Sequence, residues 1–198
     1  MASLVKAKEN LEARGYAVQL FPDKESAAEY LNGAIDGTTV GFGGSVTLDQ
    51  RGLFPALGRH NTVFWHWKQN PADARASAAN AAVYLSSVNA LAETGEIINI
   101  DGAGNRVAST LYGHQKVYLV ISRNKLAEDY ESALWRARNI AAPKNAQRLN
   151  RKTPCAVKAD RCYDCKSPER ICCGLVVLWR PMMGQDMEII LVDEDLGC

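Results

Sequence analysis

The stretch Glu93-Thr-Gly-Glu-Ile-Ile-Asn-Ile-Asp-Gly-Ala-Gly-Asn-Arg106 organises our prediction of the fold. Its middle, 96–101, is short, apolar and rich in isoleucine, which predicts a buried strand. Glycine turns flank this strand on both sides. A second strand-to-glycine turn lies upstream, where Thr38-Thr-Val-Gly-Phe42 runs into Gly43-Gly-Ser45. Ligands of open α/β sheets bind outside the carboxyl ends of strands, so we expect both turns to face one pocket.

Strands and helices alternate over most of the chain. This alternation predicts an α/β fold with a mainly parallel sheet and helices on both faces. Two final strands, 175–179 and 187–192, are predicted to form a terminal hairpin. We divide the chain into an α/β body, 1–153, and a cysteine-rich extension with the hairpin, 154–198, packed on it. Apolar runs predict the earlier strands at 16–21, 62–65, 83–88 and 116–122, and helical periodicity predicts helices at 2–14, 22–31, 71–82 and 128–141.

Length and composition exclude several functions. With 198 residues, 47% apolar and 23% charged, the chain has the profile of one ordinary globular domain. Its net charge of +1 argues against a general role on nucleic acid or on membrane surfaces, and no apolar run reaches the roughly 18 residues of a membrane span. The start of the chain has charges where a signal peptide has its apolar core. We therefore expect a cytoplasmic protein whose cysteines are thiols or metal ligands rather than disulfides.

Five of the six cysteines fall within nineteen residues. In Cys155-x6-Cys162-x2-Cys165-x6-Cys172, the inner pair can bind one metal from a single turn and the outer pair can complete a four-thiolate shell. Zinc and a four-iron iron–sulfur cluster both suit such a shell. Thiols without metal, or a redox pair of Cys162 and Cys165, remain alternatives. Cys173 and Cys198 have no place in this set.

The turn residues are candidates for binding and chemistry. Glu93 is the candidate acid, base or nucleophile if its turn is partly buried, and its alternative role is to cap backbone N–H groups. Arg106 is suited to clamp a carboxylate or phosphate. Turn glycines, aspartate and asparagine can also have purely conformational roles. The further candidates for substrate binding are Gly43, Gly44, Ser45, Thr94, Gly95, Gly102, Gly104, Asn105, His114 and Lys144.

Several motifs resemble one known family, the lactate-utilisation (LUD) domain proteins, over almost the whole chain. They are Val40-Gly-Phe-Gly-Gly-Ser45, Ala92-Glu-Thr-Gly95 and Asn139-Ile-Ala-Ala-Pro-Lys-Asn145. Thr153-Pro-Cys155 and Arg161-Cys-Tyr-Asp-Cys-Lys-Ser-Pro-Glu-Arg-Ile-Cys172 look like the tail of stand-alone members. The resemblance implies a fold similar to the ribose-phosphate isomerase, glucosamine-phosphate deaminase and CoA-transferase group. For some members it also implies a place in three-component systems that oxidise L-lactate with a sibling iron–sulfur subunit.

Three functional hypotheses follow. The leading one is a cytoplasmic protein that takes part in oxidation of L-lactate or a related small carboxylate with partner electron-transfer subunits. In it, the glycine turns hold an anionic ligand and the cysteines hold a cluster. The second is a stand-alone enzyme acting on a sugar phosphate, CoA ester or folate, with Glu93 as the reacting group and a structural zinc. The third is a non-catalytic, metal-stabilised binding module. The exposed edge of the predicted hairpin leaves a homodimer open.

Overall fold

The computed structural model describes residues 2–50 and 52–197 and contains two sheets. The larger sheet has the strand order β1-β10-β7-β4-β2-β3, and every neighbouring pair in it is parallel. The smaller sheet has the order β8-β5-β6-β9. The strands are β1 (Ala17–Phe21), β2 (Thr39–Phe42), β3 (Thr62–Phe64), β4 (Val83–Ser87), β5 (Ala90–Ala92), β6 (Ile97–Asp101), β7 (Lys116–Ser122), β8 (Leu126–Ala127), β9 (Gly174–Leu178) and β10 (Asp186–Val192).

Burial on both faces explains why the larger sheet is parallel. Along β7, Val117, Leu119 and Ile121 pack into one hydrophobic cluster, and the alternate residues Tyr118 and Val120 pack into another on the opposite face. Helices cover both faces, as a parallel sheet requires. The α/β architecture with a mainly parallel sheet is therefore confirmed.

Helices follow most strands of the larger sheet. Capping residues mark several of their first turns, as where the Asp23 carboxylate accepts the Ser26 N–H at 2.8 Å. The helix predicted at 128–141 begins after its cap Asp129, passes through a π-helical segment, Ala137–Ala141, and restarts with Pro143 in its first turn. The α-helices are α1 (Leu4–Ala13), α2 (Lys24–Ala34), α3 (Val46–Asp49), α4 (Leu53–Leu57), α5 (Pro71–Ala79), α6 (Asn105–Leu111), α7 (Tyr130–Arg136), α8 (Ala142–Arg148) and α9 (Pro154–Lys158).

The predicted terminal hairpin is wrong, because its two strands lie in different sheets. β9 pairs antiparallel with β6, whereas β10 lies parallel between β1 and β7. Residues 187–192 are all buried, which suits a central strand and not an exposed hairpin. The predicted homodimer was based on an exposed edge of this hairpin, and the two strands do not form the hairpin.

The smaller sheet was not predicted. Its strands β5 and β8 span only three and two residues, too few for a periodic pattern. Strand β6 forms within the predicted range 96–101, but it runs antiparallel to β5 and β9 in this second sheet. Strand β6 begins at one end of the small sheet and finishes at the other. The two turns that flank it therefore lie at opposite ends of this sheet.

Candidate functional site

A cleft of about 520 Å³ lies where strands β2, β4, β6 and β7 end. Strands β2, β4 and β7 are parallel neighbours, so their carboxyl ends meet at one edge, the usual place of ligand sites in such sheets. Helix α8 and the cysteine segment form the opposite wall. The polar and charged lining residues are Ser45, Thr47, His66, Arg75, Ser87, Asn89, Asp101, Asn105, Arg106, Lys125, Asn145, Arg148, Arg151 and Arg170.

Positive charge dominates this cleft. Its described lining residues include one aspartate, Asp101, and six residues with positive side chains. A concave wall with an excess of one charge concentrates counter-ions. The described lining of the cleft therefore carries an excess of positive charge. The six are Arg75, Arg106, Lys125, Arg148, Arg151 and Arg170.

Lys125 provides a buried positive charge in the cleft. It sits in a 3₁₀ turn directly after β7, and only 3% of its surface is exposed. Its Nζ donates to Thr47 Oγ1 and Ser87 Oγ, both at 2.7 Å. A charge at this depth is screened less by water and salt than one at the surface. Lys125 was not among the predicted site residues, although its position at the carboxyl end of a parallel strand would have pointed to it.

Arg106 lies in the cleft, but protein groups already occupy its guanidinium. Its Nη1 donates to Asn99 Oδ1 and to Ser87 O at 3.0 Å, and its Nη2 donates to Asn89 Oδ1 at 3.2 Å. Further contacts reach Ile100 O at 2.8 Å and the Asp101 carboxylate at 3.4 Å. Burial lowers the pKa of Arg106, while Asp101 and Tyr84 act to raise it. These contacts of Arg106 hold β4, β6 and the 102–106 turn together.

His66 and Asp101 carry buried polar atoms without hydrogen-bond partners. They are His66 Nδ1 and Asp101 Oδ2, of which the latter lies 3.4 Å from Arg106 Nε in an ion pair. Burial lowers the pKa of His66, the Arg75 charge lowers it further, and Asp101 opposes both. A neutral imidazole beside a carboxylate can accept a proton from a bound ligand. His66 was not among the predicted site residues, although it lies just beyond β3 at the same edge of the sheet.

Three arginines line the cleft with exposed side chains: Arg75, Arg148 and Arg151. The Arg148 guanidinium stacks 4.7 Å from the Trp67 ring centroid and donates to Asn145 Oδ1 at 2.8 Å. Helix α8 thus presents an oriented cation to the cleft, because the ring and the amide restrict its position. Lys144, one helical turn earlier, is exposed and does not line the cleft.

Some of the predicted turn residues come together here. Gly44, Ser45, Gly102 and Asn105 line the cleft beside Arg106. Glycine is required at 102 because a Cβ there would lie 2.8 Å from the carbonyl oxygen of Ile171 in the cysteine segment. Ser45 caps α3, accepting the Leu48 N–H at 3.3 Å. Gly43 and Gly104 do not line the cleft; Gly104 caps the start of α6, and Gly43 packs against Ser86 and Tyr84.

The turn containing Glu93, Thr94 and Gly95 lies elsewhere and docks on α1. The Glu93 carboxylate accepts the Ser3 N–H, and its carbonyl accepts from Asn10 Nδ2 at 2.7 Å. The Arg14 Nε donates to the Thr94 carbonyl at 2.8 Å. None of these three turn residues lines the cleft. Glu93 therefore has the capping contacts that were its alternative role.

His114 is buried outside the cleft lining. Its Nδ1 is 2.7 Å from the Ala81 carbonyl, and its ring stacks on Tyr84 with centroids 4.8 Å apart. Burial lowers the pKa of His114, and the contact with Ala81 opposes this shift. These contacts suit a structural histidine.

The four predicted cysteine ligands converge on a second, small cavity of about 20 Å³. Burial and the neighbouring Cys162 raise the pKa of Cys172, whereas Arg170 lowers it. Cys173 is exposed and lies outside this cavity, and Cys198 lies outside the described residues. Over 2–50 and 52–197, no three His, Cys, Asp or Glu side chains are arranged closely enough to hold a metal ion as they stand.

Comparisons with known proteins agree with this architecture. A family model described as the LUD domain matches residues 4–192. A crystal structure of a DUF162 family protein from Deinococcus radiodurans is similar in fold, with a TM-score of 0.53 and 13% identity over 96% of this chain and 95% of that one. No curated protein matches the sequence. Within the described residues, no helix has the length and apolar character to cross a membrane.

Proposed function

Because this chain belongs to the LUD domain family, we propose that its cleft binds L-lactate or a related small carboxylate and that the protein takes part in oxidising this ligand. Membership in the family supports a role related to lactate utilisation in general. The finer proposal adds partner subunits with iron–sulfur clusters, which accept the electrons. The observation that carries it is that the buried Lys125, the half-buried His66 and Asp101 line one cleft.

In this proposal Lys125 binds the carboxylate group. Its low exposure makes a charge-assisted hydrogen bond to an anion stronger than one at the surface. Arg106 is a positioning residue, since its contacts fix the turn that carries Asp101 and Asn105. The exposed Arg148 and Arg75 attract the anion into the cleft, a rate effect that salt weakens.

His66 supplies the proton-accepting group. Oxidation of a 2-hydroxy acid to a 2-oxo acid breaks one O–H and one C–H bond and releases two electrons and two protons. We assign the hydroxyl proton to neutral His66, which Asp101 stabilises once it is charged. The carbon-bound hydrogen leaves with both electrons as a hydride to a hydride-accepting cofactor on a partner subunit, which releases the second proton and passes the electrons on to the iron–sulfur clusters. Glu93 has no part in this proposal, because its contacts are with α1.

The size of the cleft favours one further candidate. A volume of about 520 Å³ lies within the range of sites for larger ligands, and lactate has only six non-hydrogen atoms. Three exposed arginines on its walls suit a phosphate group. The second candidate is therefore a stand-alone enzyme acting on a sugar phosphate or another phosphate-bearing ligand.

Calorimetric titration of the purified protein with L-lactate and, separately, ribose 5-phosphate distinguishes the two. Our proposal predicts saturable lactate binding that Lys125→Met weakens by roughly 10- to 100-fold, and no turnover until an electron-accepting partner is supplied. Binding of the sugar phosphate alone, with turnover by the isolated chain, would select the second candidate. Ligand binding that never leads to turnover, even with partner subunits, would support the hypothesis of a non-catalytic binding module.

A further inference from the structure

We propose that Cys155, Cys162, Cys165 and Cys172 bind a single divalent metal ion of the zinc class as four thiolates. The proposal does not depend on the function of the cleft. Its first support is convergence: residues from α9 and from both ends of the following loop reach one cavity, although they span eighteen positions of the chain. Thiolate sulfur is the ligand that zinc takes in closed, four-coordinate structural sites.

The small size of the cavity favours one ion over a cluster. Its volume of about 20 Å³ is far below the 520 Å³ of the cleft. One ion is the smaller group to place between these four thiols, whereas the eight-atom core of a four-iron cluster requires more space. Zinc is therefore favoured over the four-iron cluster that the spacing alone left open.

The turn between Cys162 and Cys165 directs a backbone N–H to one of the proposed ligand sulfurs. Asp164 has a left-handed backbone with φ of 44°, and its N–H donates to Cys162 Sγ at 3.4 Å. Such outer hydrogen bonds hold a ligand sulfur in orientation and offset its negative charge. At the other side of the cavity, Cys155 Sγ lies 3.3 Å from Thr153 Oγ1.

Arg170 balances the charge of this site and fixes its loop. Its Nη1 donates to the Cys165 carbonyl at 2.8 Å and its Nε to the Cys172 carbonyl at 2.9 Å. Four thiolates around one divalent ion carry a net charge of minus two, so a neighbouring guanidinium is favourable. The Asp164 carboxylate, 3.0 Å from Arg170 Nη2, orients that side chain in turn.

The ion is expected to draw the sulfurs together. Cys155 is buried on α9, while Cys162, Cys165 and Cys172 are half-buried on the loop. Because the thiols as they stand are not close enough to hold an ion, binding should move the loop cysteines toward Cys155 and order the loop. Arg170, Ile171 and Cys172 line both this cavity and the cleft, so metal binding should also order one wall of the cleft.

Metal content and cobalt spectroscopy on the full chain test this proposal. We expect about one zinc per purified chain, and we expect cobalt(II) added to the metal-free protein to give the thiolate charge-transfer and tetrahedral bands. A Cys162→Ser/Cys165→Ser variant should lose both signals. Cys173→Ser is the matched control, because this neighbour of Cys172 lies outside the cavity and should leave both unchanged. Arg170→Met should weaken cobalt binding by roughly 10- to 100-fold, as loss of an outer-shell partner does.

Three results would overturn the proposal. One is four irons with an iron–sulfur chromophore in protein purified without oxygen; another is equal cobalt binding by the double variant and the wild type. The third is failure of the metal-free wild-type chain to bind zinc or cobalt while all its thiols react with a thiol reagent. If the double variant fails to fold, reversible removal and return of zinc on the wild type decides the matter.

Discussion

The two glycine turns at the ends of β6 look alike in sequence and have different surroundings. The turn at 93–96 docks on α1 through Arg14, whereas the turn at 102–106 borders the cleft and is tied down by Arg106. Both contain glycine, and an acidic residue stands at the start of the first turn, Glu93, and directly before the second, Asp101. The surroundings of the two turns differ because the strand between them, β6, places them at opposite ends of the small sheet. A site residue is therefore identified by the strand end that it follows, and less by the composition of its turn.

Replacing the arginine that holds each turn should give the largest difference in stability. Arg106→Met removes a buried donor from Asp101 and from several acceptors, so we expect a loss of about 3–5 kcal/mol in the free energy of unfolding. Arg14→Met removes partly exposed contacts and should cost about 1 kcal/mol. Urea denaturation followed by circular dichroism measures both. Equal losses would mean that the two turns do not differ in this way.

The second largest difference is expected in ligand binding, between a variant in the cleft and a variant in the 93–96 turn. Lys125→Met removes the buried cation of the cleft and should weaken L-lactate binding by roughly 10- to 100-fold, the value of a charge-assisted hydrogen bond. Glu93→Gln changes the other turn and should leave the affinity unaltered. Isothermal titration of both variants gives the comparison. A loss of affinity in Glu93→Gln with none in Lys125→Met would reverse our assignment of the site.

The half-buried His66 and the buried His114 should separate chemistry from stability. Burial lowers the pKa of both His66 and His114 below 6.5, so the folded protein binds a proton less readily than the unfolded chain. Stability is therefore fully present above this pH and is lost as the pH falls below it. Replacing His114 by Gln should reduce the loss of stability at low pH and leave lactate oxidation unchanged. His66→Gln should likewise reduce that loss of stability, but it should abolish lactate oxidation. Unfolding curves between about pH 7.5 and 5.5, with assays at pH 7.5, check this.

The smallest expected effect concerns the rim of the cleft. Arg148→Ala removes an exposed cation that lines the cleft and should weaken lactate binding two- to fivefold, about 0.5–1 kcal/mol. Lys144→Ala removes a cation of the same helix that does not line it and should change nothing. The Arg148 effect should shrink in high salt. A salt-independent effect would point to packing on Trp67 as its cause.

The sequence predicts the larger sheet well and the smaller sheet poorly. Strand β7 and the apolar body of β10 stand out because each is a continuous apolar run, which burial on both faces requires. The partner of β10 could not be predicted, because strands that are near in sequence commonly form hairpins, and only the packed core shows that β10 enters between β1 and β7.

The site could be predicted in part for the same reason. The turns after β2 and β6 contain the glycines and Arg106, which carry recognisable turn chemistry. Lys125 and His66 follow strands β7 and β3 without a recognisable motif, so only the strand order brings them into one cleft. Arg106 is the opposite case. Arginine is a residue type that suggests a ligand clamp, but the contacts of Arg106 are with protein groups.

Amide chemical-shift mapping of an L-lactate titration tests the central claim most directly, because it locates even weak binding residue by residue. We predict that the largest shifts fall in 44–47, 87–89, 102–106 and at Lys125, with the 93–96 turn unchanged. Shifts concentrated at 93–96, or a saturating response that spares the residues of the cleft, would contradict the assignment of the anionic ligand to the cleft.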